Sequence, residues 1–140
     1  PKVLATSATI ENMRFLSFTA DPRRHNITMT EFIELTTTTA TEDEAIKLAR
    51  LLVQQRLACC VQISGPMQSI YRWQGVICQA TEFQCNVKSL ATLTERLVRT
   101  VRGAHSYDTP QIIVLPVVDC DADYAQWWRE QIDPVDEAGL

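Results

Sequence analysis

The stretch VICQATEFQCNVKS, residues 76–89, sets the fold. Phe83, Cys85 and Val87 alternate with Glu82, Gln84, Asn86 and Lys88. That is the two-residue period of a strand buried on one face. Immediately upstream, Gln74-Gly75 reads as a turn, so the extended segment GPMQSIYRWQG, residues 65–75, pairs back on it and carries Tyr71 and Trp73 on one face. Before the Gly-Pro break, LACCVQI, residues 57–63, is a further apolar strand segment.

Working outward towards the N-terminus, TEDEAIKLARLLVQQR, residues 41–56, predicts a helix. Thr41 is its candidate N-cap, and Glu44, three residues on, completes a capping box. Ala45, Leu48, Ala49 and Leu52 recur at helical spacing, and Glu42, Asp43 and Glu44 sit where the helix dipole favours acids. TEFIELTTTT, residues 30–39, is rich in β-branched residues and predicts the first strand.

Towards the C-terminus, Ser89 is expected to cap a second helix whose apolar stripe is Leu90, Leu93, Leu97 and Val101, with Gly103 as its terminator. QIIVLPVV, residues 111–118, is apolar on both faces and predicts a strand inside the sheet or under a partner. DADYAQWWREQI, residues 121–132, predicts a short helix capped by Asp121. The order is β-α-β-β-α-β plus a terminal helix, an α+β, ferredoxin-like split βαβ arrangement with an antiparallel sheet. Its two helices cover one face. Phe32, Tyr71, Trp73 and the doubly apolar fourth strand then need a second layer, for which self-association is the simplest source.

A chain of 140 residues with 46% hydrophobic and 21% charged residues suits one globular domain. Its net charge of −4 argues against general nucleic-acid binding, and no apolar run has the length of a membrane span. Five cysteines, an odd number with no CxxC, signal neither a disulfide framework nor a zinc ribbon. They are expected to be reduced small hydrophobes in the cytoplasm. Residues 1–29 lack sustained periodicity, carry Lys2, Arg14, Arg23 and Arg24 against Glu11 and Asp21, and read as an extension. A tag, a misplaced start or a targeting segment would each fit, and the natural domain is expected to begin near Met29. The patterned domain covers residues 30–133, with a tail at 134–140.

Glycine-rich phosphate loops, HExxH, zinc-spaced Cys/His clusters and GxSxG are absent from the sequence. Arg96, Arg99 and Arg102 read as a solvated helix face. Tyr71, Arg72 and Trp73 could stack on a base or a cation, but interface packing with Arg72 paired at the rim is the favoured reading. In GAHSYDTPQIIVLPV, residues 103–117, His105 lies in a loop feeding an apolar strand, beside Tyr107 and Asp108. A neutral imidazole there can orient itself by hydrogen bonds, or bind copper or zinc with Asp108 and groups from other subunits.

RLACCVQI, SIYRWQG, AHSYDTPQIIVLPV and YAQWW, in this order and spacing, resemble the CutA family of divalent-cation-tolerance proteins, from about Phe32 to Ile132. The resemblance implies a ferredoxin-like subunit in a homotrimer. In such a trimer the sheets pack about the threefold axis and a long bent hairpin reaches a neighbour. It also implies tolerance of copper and other divalent cations, a metal-binding label, and no firmly attached catalytic activity. Of the copper ligands proposed in the family, the strand-end cysteine falls at Thr37 and the His-His pair at Ala104-His105, while Cys60 matches the cysteine of LAxCV. The expected function is therefore a trimeric, non-enzymatic metal-tolerance protein. Its metal candidates are His105, Cys60 and Asp108, and its junction or ligand pocket is built from Tyr71, Arg72, Trp73 and Tyr107. A trimeric small-molecule or nucleotide sensor of the nitrogen-regulatory kind and a structural trimer without ligand are the alternatives. An acylphosphatase-like enzyme ranks below them, because TTTTATEDE offers no arginine-bearing anion loop.

Overall fold

The computed structural model describes residues 30–132, so the expectations for the two terminal segments lie outside the described residues. The elements are β1 (Phe32–Thr39), α1 (Glu42–Gln54), β2 (Cys60–Trp73), β3 (Val76–Leu90), a 3-10 turn (Ala91–Leu93), α2 (Thr94–Ala104), β4 (Ile113–Pro116) and α3 (Ala122–Gln131). The sheet has the order β2-β3-β1-β4 with every neighbouring pair antiparallel, as a split βαβ fold requires.

Local chemistry explains the boundaries of α1. Thr41 accepts from the Glu44 backbone N–H at 3.2 Å, and the Glu44 carboxylate accepts from the Ala40 N–H at 3.2 Å, one residue before the cap. Two N–H groups that the helix cannot satisfy itself are thereby met. Asp121 caps α3 in the same way, through the Tyr124 N–H at 3.0 Å.

Helices α1 and α2 cover one sheet face, where Leu35, Cys85 and Val87 lie fully buried with Leu52, Leu97 and Val101. The segments on either side of Gly65-Pro66 are one strand, β2, with an irregularity between Ser64 and Met67. Gly65 has φ +152°, and a Cβ there would stand 2.7 Å from the Phe83 ring, so the bulge requires glycine. Gln74 and Gly75, both at positive φ, make the tight turn into β3.

Four expectations need correction. Ser89 does not cap a helix. It lies within the paired part of β3, opposite Ile33, fully buried, and donates to the Leu57 carbonyl at 2.6 Å. Leu90 belongs to the same strand, because pairing with Phe32 holds the chain extended for two residues beyond the expected helix start. Gly103 lies inside α2, which runs on to Ala104 and is capped by His105. The doubly apolar segment does not lie inside the sheet but is an edge strand of four residues, leaving Ile113 and Leu115 46% and 48% exposed in the single chain.

Phe32 does not await a partner molecule. It points away from α1 and α2, in phase with Glu34 and Thr36, and α3 covers it. Its ring lies 4.8 Å from that of Trp128, with the Arg129 guanidinium 4.9 Å above it. Burying a ring of this size is worth up to about 3 kcal/mol. Arg129 holds Glu31 in two hydrogen bonds of 2.6 and 2.8 Å, and Arg56 donates to the carbonyls of Glu130 and Gln131 at the end of α3. The second layer is thus supplied in part by the chain itself. The centre of that face is polar, with Glu34, Thr36, Gln84, Asn86 and Lys88, and Ile113 and Leu115 of β4 lie at its edge.

Strand β1 pairs with β3 only from Phe83 to Leu90. From Met67 to Glu82 the hairpin is therefore a two-stranded arm projecting beyond the sheet, with Ile70, Val76 and Ile77 exposed.

Thr37 is fully buried on the helix-covered face, and its hydroxyl has no hydrogen-bond partner among the described residues. Thr37→Val keeps the shape and removes the unsatisfied group, so urea unfolding should show a gain of about 1 kcal/mol. A loss of stability would mean that the hydroxyl is satisfied in solution.

The hydrogen bond from Arg129, aided by its charge and opposed by slight burial, holds the Glu31 carboxyl below its ordinary range. A depressed carboxylate contributes stability above its unfolded pKa, and loses it as pH falls through the folded value. Both side chains are half exposed, so solvent screening keeps the contribution small. Glu31→Gln should lower the melting temperature slightly at neutral pH and converge with the parent only once the pH has fallen below the ordinary carboxylate range. A constant offset between the two at every pH would refute the linkage.

Candidate functional site

Register places the carbonyl of Thr38 on the side of β1 that faces β4, the same side as Phe32, whose carbonyl accepts from the Val117 N–H. Pairing of β1 with β4 stops at Thr36 and Ile113, so the position that would meet Thr38 lies outside β4. His105 takes up this acceptor, with Nε2 2.8 Å from the Thr38 oxygen. Its Nδ1 accepts from the Tyr107 backbone N–H at 3.0 Å. This pattern assigns a neutral ring with the proton on Nε2. Both ring nitrogens are therefore committed to backbone groups.

Tyr107 turns its ring against that of His105, 5.0 Å away, and its hydroxyl donates to the Glu82 carboxylate at 3.1 Å. The bond crosses from the α2–β4 loop to β3, over the end of β1. Glu82 is only 2% exposed. Burial first, and then the charge of Glu82 together with its hydrogen bond, push the Tyr107 hydroxyl well above the ordinary phenol range; Glu44 and Tyr71 add to this. The phenol is a donor at every physiological pH.

The arm presents Tyr71 and Trp73 in phase with Glu82, as the pairs Tyr71–Cys78 and Met67–Glu82 require. Burial, followed by Cys78 and Glu82, raises the Tyr71 hydroxyl. Tyr71, Glu82, Tyr107 and His105 thus belong to one region at the root of the arm. Trp73 shares their face but lies at the tip of the arm, paired with Val76 beside the Gln74-Gly75 turn. Arg72 does not join them. It alternates to the other face and donates to the Gly75 carbonyl at 3.4 Å, closing its own turn.

The three metal candidates do not converge within the chain. Cys60 pairs with Lys88, whereas His105 binds beside the level of Gln84, four residues further along β3 and so about 13 Å away. Asp108 is exposed in the loop. Among the described residues no three His, Cys, Asp or Glu side chains form a group that could hold a metal ion. All five cysteines are free thiols. Burial, then the neighbouring Cys60, pushes the Cys59 thiol up to about 12, and burial pushes Cys85 up to about 11. Such thiols stay protonated and make poor ligands at neutral pH.

Sequence reasoning missed Glu82, which it placed on the polar phase of β3. Its phase was read correctly. Its burial comes from Tyr107, a contact that no local pattern signals.

Residues 33–131 match the family described as CutA1 divalent ion tolerance protein. The chain is 37% identical over 93 residues to the divalent-cation tolerance protein CutA of Thermus thermophilus, covering 66% of this chain and 90% of that protein. It is 34% identical over 97 residues to human Protein CutA, covering 69% of this chain but only 54% of the human protein. The solved structure of the divalent cation tolerance protein Cut A1 from Thermus thermophilus superposes with a TM-score of 0.71 at 33% identity, over 73% of this chain and 99% of that one. A relative from Arabidopsis thaliana is named as chloroplastic, and one from Archaeoglobus fulgidus as periplasmic. With the fold, the motif order and the sequence match in agreement, the chain belongs to the CutA1 divalent ion tolerance protein family.

Proposed function

We propose that this chain acts in divalent-cation tolerance as a homotrimer, a binding and structural component rather than an enzyme. The observation that carries the trimer is the arm. A two-stranded hairpin of this length is marginal alone in water, yet it presents Tyr71 and Trp73 on one face and Ile70 and Ile77 on the other. The exposed Ile113 and Leu115 of β4 supply a second uncovered apolar strip. Neighbouring copies that cover these surfaces satisfy both, and the loop at His105 and Tyr107 then lies at the junction. Family membership supports the tolerance role.

The metal involved is copper or another divalent cation. A site drawing on His105, Cys60 and Asp108 must be completed across subunits, and must displace one of the two backbone hydrogen bonds of the imidazole. Such a site is weak, and His105 serves first as architecture. Five free thiols favour a reducing compartment, and hence a cytoplasmic location. Among the described residues no helix is long and apolar enough to cross a membrane.

Sedimentation should show a trimer at micromolar concentration. Trp73→Ala should weaken it by ~2 kcal/mol or more, as loss of a buried aromatic anchor does. An unchanged trimer in the variant would remove the arm from the assembly.

His105→Ala deletes two hydrogen bonds to backbone and should cost about 2 kcal/mol or more of stability. Calorimetric titration with copper or zinc should then reveal weak binding that changes only modestly. Tight stoichiometric binding to the parent, lost in the variant with stability intact, would reverse the assignment.

A further inference from the structure

Between α1, the end of β1 and the end of α2 lies a cavity of about 380 Å³. Its apolar surface is formed by Leu48, Leu51 and Ala104, and its polar groups are Thr39, Glu44, Lys47, His105 and Ser106. The size falls within the range of small-molecule sites, and the composition, mostly apolar with a few polar groups, is of that kind.

The two charges are not spent on each other. Lys47 makes no ion pair or hydrogen bond among the described residues. One oxygen of Glu44 accepts from the Ala40 N–H, and the other has no hydrogen-bond partner there. Standing three residues apart on one helix, the carboxylate and the ammonium rise about 5–6 Å from each other at Cβ. Beside them Leu48 and Leu51 offer an aliphatic wall. An acid, a cation and an apolar wall within about two turns complement a small molecule that carries the same three features in mirror order: a carboxylate for Lys47, an ammonium for Glu44, and a short hydrocarbon branch for the leucines. The Ser106 hydroxyl can add a hydrogen bond to the ligand carboxylate.

We propose that this cavity binds a free α-amino acid with an aliphatic side chain. A simple anion would meet Lys47 but would also face the Glu44 carboxylate and the carbonyl end of α2, both of which repel it. A simple cation would meet Lys47 as a like charge. The zwitterion alone matches both groups. His105 borders the cavity and also holds Thr38 and Tyr107, so occupancy is felt at the base of the arm. The amino-acid reading does not rest on the metal or trimer readings above, although it shares His105 and its loop with both.

The test is a nuclear magnetic resonance titration of the full chain with L-leucine. Saturable shifts are expected at the amides of Leu48, Ala104 and Ser106 in the millimolar range. Lys47→Met should weaken binding about tenfold, the value of one charge-assisted hydrogen bond. Ala104→Leu, which fills the cavity, should abolish it. Isocaproate, lacking the ammonium, and isoamylamine, lacking the carboxylate, should each bind at least about tenfold more weakly than leucine. Shifts that do not saturate, or that are unchanged in Lys47→Met, overturn the proposal. Isocaproate binding as tightly as leucine overturns it as well, because the site would then recognise an anion alone.

Discussion

A backbone carbonyl at the end of a strand must be met by a donor, and at Thr38 the sheet cannot supply one because β4 has already ended. The imidazole of His105 does so. Much of the distinctive geometry depends on this substitution. It fixes the first residue after α2, and through its other nitrogen it fixes the Tyr107 N–H. Tyr107 is thereby aimed at Glu82, and Glu82 sits where the arm leaves the sheet. The helix end, the loop, the edge of β1 and the root of the arm are therefore one hydrogen-bonded unit. A network of this kind is costly to leave half satisfied, since each buried polar group that loses its partner is stranded in a low dielectric.

The same commitment shapes the metal chemistry. An imidazole with both nitrogens bonded to backbone has no lone pair to offer unless part of the network opens. The thiols give little more within one chain. Cys59 and Cys85 are buried and held as thiols, and Cys60 lies at the other end of the sheet.

The terminal helix resolves half of the problem posed by a two-layer sheet. Trp128 covers Phe32, and the contacts of Arg129 with Glu31 and of Arg56 with the end of α3 hold the helix down. The remaining apolar surface sits on the arm and on β4, at the periphery, while the centre of the uncovered face is polar. Assembly driven from the periphery would leave this polar centre to hydrogen bonds rather than to hydrophobic burial.

The sequence by itself determined the element order, the capping of α1 and α3, the Gln74-Gly75 turn and the buried phase of Phe83, Cys85 and Val87. Each depends on contacts within a few residues or on a period of two or nearly four, which local chemistry enforces. The motifs also sufficed to place the chain in its family. Tertiary structure alone decided that Ser89 stays in the strand rather than capping a helix, because a carbonyl 32 residues away claims its hydroxyl. It alone decided that Phe32 is covered by α3. Above all it brought Glu82 under Tyr107 and set Cys60 apart from His105. Those outcomes depend on which strand ends where in the sheet, a property of register between distant segments that no local pattern encodes.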